Sequence, residues 1–138
     1  MTRIVFFVFA LAALLTVAGA THPASASAPA KRAFILLLDQ SNDSGLRGKA
    51  TLTQIGNDVM IVVDLGAELP DFYKSYIAEG TCDGHIFDFI YDLAPFHSGV
   101  SKTKIRNASV DALMNDGTYM IAVPNGACGD LAAARPRR

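Results

Sequence analysis

Cys82, Asp83, His85, Asp88 and Asp92 crowd into one short stretch, a concentration of metal-ligating side-chain types found nowhere else in the sequence. A hard cation would take the carboxylates, while zinc would take an imidazole, with His85 and Asp83 in reach of each other. The residues to test for a metal are therefore His85, His97, Asp83 and Asp88. Their spacing matches no known ligand pattern, and an acidic exposed loop accounts for the same residues. The expectation is that no cofactor is bound, with copper or zinc as the alternative. Residues 39–45 superficially suggest a calcium loop, but the twelfth position is Ala50 where a bidentate carboxylate is required. Nucleophilic chemistry finds no support either: Ser98 precedes Gly99 without the partner glycine of a nucleophile elbow. No catalytic residue is expected.

The two cysteines, Cys82 and Cys128, are the only ones in the chain. Such a pair in an oxidising compartment is most simply one disulfide, two free thiols being the other reading. The N-terminus points to that compartment. Arg3 supplies a positive start, residues 4–15 are unbroken apolar sequence, and Ala18-Gly19-Ala20 offers a small-residue cleavage site. Ala24-Ser25-Ala26 offers another, so 1–20 reads as a signal peptide with cleavage anywhere from about 20 to 28. The apolar run is short for a membrane span, and no later segment is long and apolar enough for one. Export to the periplasm or medium is the expected fate, with no transmembrane segment in the mature chain.

Removing that leader changes how the composition reads. The 138 residues are 51% hydrophobic, with a mean hydropathy of +0.28, and much of the excess lies in the leader. What remains is long enough for one domain and too short for two. All 13 acidic residues lie between Ala33 and Ala134, against six basic ones. Such an acidic body argues against a nucleic-acid partner, which needs a basic stripe. Arg135, Arg137 and Arg138 follow it as a basic, solvated tail.

The elements that must position these groups read as short strands. Residues 21–32, rich in Ala, Ser and Pro, form a spacer, and 33–131 a single domain, followed by the tail at 132–138. Residues 33–38 fit a buried first strand. Ala50 and Leu52, then Val59, Ile61, Val63 and Leu65, alternate on either side of Gly56-Asn57-Asp58 as a hairpin. Further strands are expected near 76–79, 86–93, 100–105, 118–123 and 127–131, while 108–114 fits a strand or one helical turn. Phe87, Phe89, Tyr91 and Phe96 would line a ligand groove or, on the plainer reading, supply alternate members to the core. Seven or eight short strands without a long amphipathic helix predict an all-β, antiparallel Greek-key sandwich, immunoglobulin-like or superoxide dismutase-like.

Three pieces resemble Cu/Zn superoxide dismutase-like sandwiches: Gly48-Lys49-Ala50-Thr51-Leu52 followed by residues 59–65, then Glu79-Gly80-Thr81-Cys82, then Ala127-Cys128-Gly129-Asp130-Leu131. The last two resemble the segments in which that family places its disulfide cysteines. The chain is also similar to small secreted bacterial proteins with chordin-type (CHRD) domains. There, a segment like Tyr91, Leu93, Pro95, Gly99, Ser101 and Thr103 precedes one like Gly117-Thr118-Tyr119. Together the matches cover most of 33–131. The dismutase ligands are missing from them. Tyr76 and Ala78 stand where a copper-binding His-x-His is expected, and 121–124 carries no histidine. His22 belongs to the leader or spacer, which leaves His85 and His97, too few for a copper–zinc pair. The expected function is that of an exported binding or structural module without catalysis, its partner an extracytoplasmic protein or small ligand. A metal-binding or dismutase-like protein using His85 and His97 is the competing expectation.

Overall fold

The computed structural model describes residues 31–70 and 73–137; the expected signal peptide, both its cleavage candidates and His22 lie outside the described residues. Nine strands form one curled antiparallel sheet. In chain order they are β1 (Ala33–Gln40), β2 (Gly48–Ile55), β3 (Asp58–Asp64), β4 (Tyr76–Gly80), β5 (Ile86–Asp92), β6 (Val100–Ile105), β7 (Tyr119–Val123), β8 (Ala127–Asp130) and β9 (Arg135–Pro136). One short helix, α1 (Val110–Asn115), sits between β6 and β7. The hydrogen-bonded order is β5-β4-β7-β8-β1-β2-β3-β6, with β9 also on β1.

β1 is where the sheet folds over. Phe34 to Leu38 lie along β2, whereas Asp39 and Gln40 pair with Cys128 and Ala127 of β8. One layer is thus β1-β2-β3-β6 and the other β5-β4-β7-β8, joined at β1 and connected by Greek-key crossovers, as expected for an all-β sandwich. The core fills the space between them. On β1 only Phe34, Leu36 and Leu38 face it, and Leu37 is 73% exposed, so this strand is half-buried where the apolar run suggested burial on both faces.

The β2–β3 hairpin follows the predicted alternation: Ala50, Leu52, Val59, Ile61 and Val63 are buried, with Lys49, Thr51 and Thr53 of β2 and Met60, Val62 and Asp64 of β3 on the other face. Gly48 is required there, because a Cβ would lie 2.2 Å from the Asp64 carbonyl oxygen. Residues near 108–114, open between strand and helix in the sequence, form α1. Ser109 caps it by accepting from the Ala112 N–H, and Val110 and Leu113 enter the core. Gln54 ties this helix to the β2–β3 turn, donating to the Gly56, Asp58 and Ala108 carbonyls and accepting from the Val110 N–H at 2.9 Å.

The folded unit also runs past residue 131. Leu131–Ala133 makes a 3-10 turn with Leu131 buried, and Arg135 and Pro136 pair with Ile35 and Phe34. The stretch expected as a solvated tail therefore supplies a strand. Burial of Leu131 and Ala134 draws the chain back along β1, and the short edge tolerates Pro136.

Candidate binding face

The β4–β5 hairpin is built around Gly80, whose φ of +140 suits glycine alone, and where a Cβ would sit 2.4 Å from the His85 carbonyl oxygen. Its N–H donates to the Thr118 carbonyl, and the Gly84 N–H closes the turn onto Thr81. Cys82 lies in this turn and is bonded to Cys128 of β8, with Cα atoms 5.7 Å apart and 46 residues between them in sequence. The Cys82 N–H donates to an Asp130 carboxylate oxygen at 2.9 Å, holding the same junction by a second contact. The bridge spans β7, which lies between β4 and β8. Closing a loop of that length restricts the unfolded chain by roughly 4 kcal/mol.

The candidate metal ligands are distributed along this hairpin rather than gathered. Asp83 and His85 are exposed in the turn at one end of β5. Asp88 pairs with Glu79 midway along the strand. His97 lies beyond the other end, where its backbone exchanges hydrogen bonds with Val100. Leu93 and Phe96 bond back to Ser75 and Tyr73 at the start of β4, so His97 and His85 flank opposite ends of the β4–β5 pair. Seven strand residues separate those ends, about 20 Å at roughly 3.3 Å each. Among the described residues no group of three or more His, Cys, Asp or Glu side chains is placed to hold a metal ion.

β5 itself departs from expectation. Of the aromatics read as alternating into the core, only Phe96 is buried; Phe87 is 77% exposed, Phe89 51%, and Tyr91 is exposed as well. Two register shifts against β4, at Ile77/Ala78 and Glu79/Gly80, leave Phe87 and Ile90 without partners in the ladder. These bulges break the two-residue period on which the core assignment depended. The seven residues of β5 are all exposed, and five of them are large and apolar. Asp88 and Asp92 are the others, and no lysine or arginine occurs between Lys74 and Lys102.

The outer face of the same layer continues this surface. Ala78, Met120 and Ala122 form a small apolar cluster there, packed against the disulfide, and Met120 Sδ lies 3.5 Å from Cys128 Sγ. Met120 and Ala122 floor a shallow cleft of about 300 Å³ walled by Ile86, Thr81 and Asn125. A neighbouring cleft of about 290 Å³ between Tyr76 and Pro124 extends it. The Tyr76 and Phe89 rings stack tilted with centroids 4.7 Å apart, linking β4 to the edge strand. On the inner side, Tyr91 shares a cleft with Tyr119 and α1, where a hydrogen bond to Asp116 raises the Tyr119 pKa above the usual phenol range. The whole arrangement offers exposed apolar surface with an acidic fringe.

The disulfide expected from the sequence is present, whereas the plainer reading of the 87–91 aromatics as core is overturned by their exposure. The available signal was the interleaving of acids and aromatics over residues 86–92 without a basic residue nearby. No helix among the described residues is long and apolar enough to cross a membrane. No family model, curated protein or solved structure matches the chain.

Proposed function

We propose that this chain is an exported, non-catalytic β-sandwich that works by surface contact, with β5 and the adjoining outer face as its binding surface. One observation carries the reading: five large apolar side chains are exposed on a single seven-residue edge strand. Contiguous exposed apolar surface of this kind marks interaction sites, and an unpaired strand edge is a ready template for another chain. The apolar leader and the disulfide support export, since such bridges persist in oxidising compartments. The non-catalytic part rests on the dismutase-like and CHRD-like pattern of 33–131, in which Tyr76 and Ala78 replace the expected histidine pair.

The Phe87→Ser variant tests the surface. A contact residue leaves unfolding by urea in dilute protein unchanged within about 0.5 kcal/mol. The same variant should lower the fluorescence of 8-anilinonaphthalene-1-sulfonate bound to the dilute folded protein. A loss of several kcal/mol would make Phe87 part of the fold and end this reading. Metal analysis of the exported protein tests the rest: stoichiometric copper or zinc, lost on His85→Ala, would replace the contact module by a metalloprotein.

A further inference from the structure

We propose that two copies of this chain join edge to edge, β5 of each pairing antiparallel with β6 of the other; this rests on β5 being the contact surface and names its partner. β5 and β6 are the two ends of the strand order, and each has a strand neighbour on one side only. Both edges thus present backbone N–H and C=O groups that another strand can satisfy.

The fold puts the two edges on one side of the sandwich. The sheet turns over at β1, so its two ends come back towards each other. Contacts agree with this placement. The Ala94 N–H, just after β5, donates to Thr103 Oγ1 of β6, and Ser101 Oγ donates to the Ala94 carbonyl. Tyr91 of β5 also shares a cleft with Asn107 and Ala108, which follow β6. A two-fold axis along the strands, between two such sides, sets β5 beside the second copy's β6 and β6 beside its β5. All neighbours along the path are antiparallel, which makes β5 and β6 opposite in direction. Rotation about an axis parallel to the strands preserves that relation, so both new pairs have the sense an antiparallel ladder needs. The interface is isologous and closes at two copies.

Charge selects this pairing over the others. Asp92 pairs with Tyr76 on the outer face of β5, and Asp88 adds a second carboxylate to the strand. β6 carries Lys102 and Lys104 outward, because Ser101 and Ile105 on either side of them are buried and Thr103 between them is half-buried. Two β5 edges would bring four carboxylates together, and two β6 edges four ammonium groups. Only the mixed pair sets opposite signs side by side, a selection by repulsion as well as attraction. The outer faces of the two layers become continuous across the seam, so Asp92 and Lys102 share one face.

Sedimentation velocity on the disulfide-bonded chain tests this with two surface variants, Asp92→Lys and Lys102→Glu. Wild type should sediment at twice the monomer mass at about 100 µM. Each variant alone sets like charges at both seams and should associate at least about tenfold more weakly. An equimolar mixture of the two variants has one wild-type seam and one with its charges exchanged, and should recover the dimer. A wild type that stays monomeric overturns the proposal, as does a variant that dimerises unchanged or a mixture no better than its components. Because Phe87→Ser is read in dilute protein, a monomeric wild type with that result intact would remove the dimer and leave β5 as a contact surface for another partner.

Discussion

β5 and β6 end the same sheet, yet they are held in opposite ways. β6 alternates cleanly: Ser101 and Ile105 are buried, Thr103 is half-buried, and Lys102 and Lys104 point to water. Its inner hydroxyls are bonded to Ala94, and Lys104 forms an ion pair with Asp58 at 3.0 Å. β5 has no buried residue, two bulges, and apolar side chains where β6 has lysines. It is anchored at one end by the Cys82–Cys128 bridge and along its length by β4. An edge position alone therefore does not determine burial. Inward packing keeps β6 in place, whereas a covalent tie holds the turn from which β5 starts.

Removing the tie is the harshest test of that contrast. Cys82→Ser with Cys128→Ser should cost roughly 4 kcal/mol of unfolding free energy. Hydrogen exchange should report the loss unevenly, with amides of β4 and β5 exchanging sooner while those of β6 open only with global unfolding. Equal loss of protection at both edges would show that the disulfide supports the whole sandwich rather than one side of it.

Truncating one large apolar side chain on each edge comes next. Ile105→Ala opens a cavity beneath β6 and should cost about 2–4 kcal/mol in urea unfolding, against about 0.5 kcal/mol or less for Phe87→Ala on β5. Similar costs for the two would mean that β5 is packed in solution.

The same contrast accounts for what the sequence made legible. The β2–β3 hairpin and β6 keep a strict two-residue period because one face of each is buried, and period is what a reader of sequence can see. β5 has no buried face to impose a period, and its bulges shift the remainder, so the aromatics at 87–91 stay out of the core to which the plainer reading sends alternate members of the run. The cysteine pair was legible from its number alone. Gln54 was not, since its four partners come from the β2–β3 turn and α1 and converge only after folding. Nor was β9, a two-residue strand whose pairing depends on the buried Leu131 and Ala134 before it. Of the candidate site, residues 82–92 were singled out for ligands, and the structure draws attention to the apolar side chains between them.

Smaller effects separate the two devices that hold β6. Ser101→Ala removes the bond to the Ala94 carbonyl and should cost about 1 kcal/mol. The Asp58–Lys104 pair should matter least, and only through pH. Hydrogen bonds from Lys104 and from the Asn107 N–H hold the Asp58 pKa below the ordinary 3.8. A carboxyl whose folded pKa is depressed adds stability that is fully present above its unfolded value. That contribution is lost as pH falls from there through the folded pKa. Stability measured from pH 6 down to about pH 2 should therefore fall slightly less steeply in Asp58→Asn than in wild type below about pH 4. Lys104 is exposed and Asp58 half-buried, so the difference should shrink in high salt.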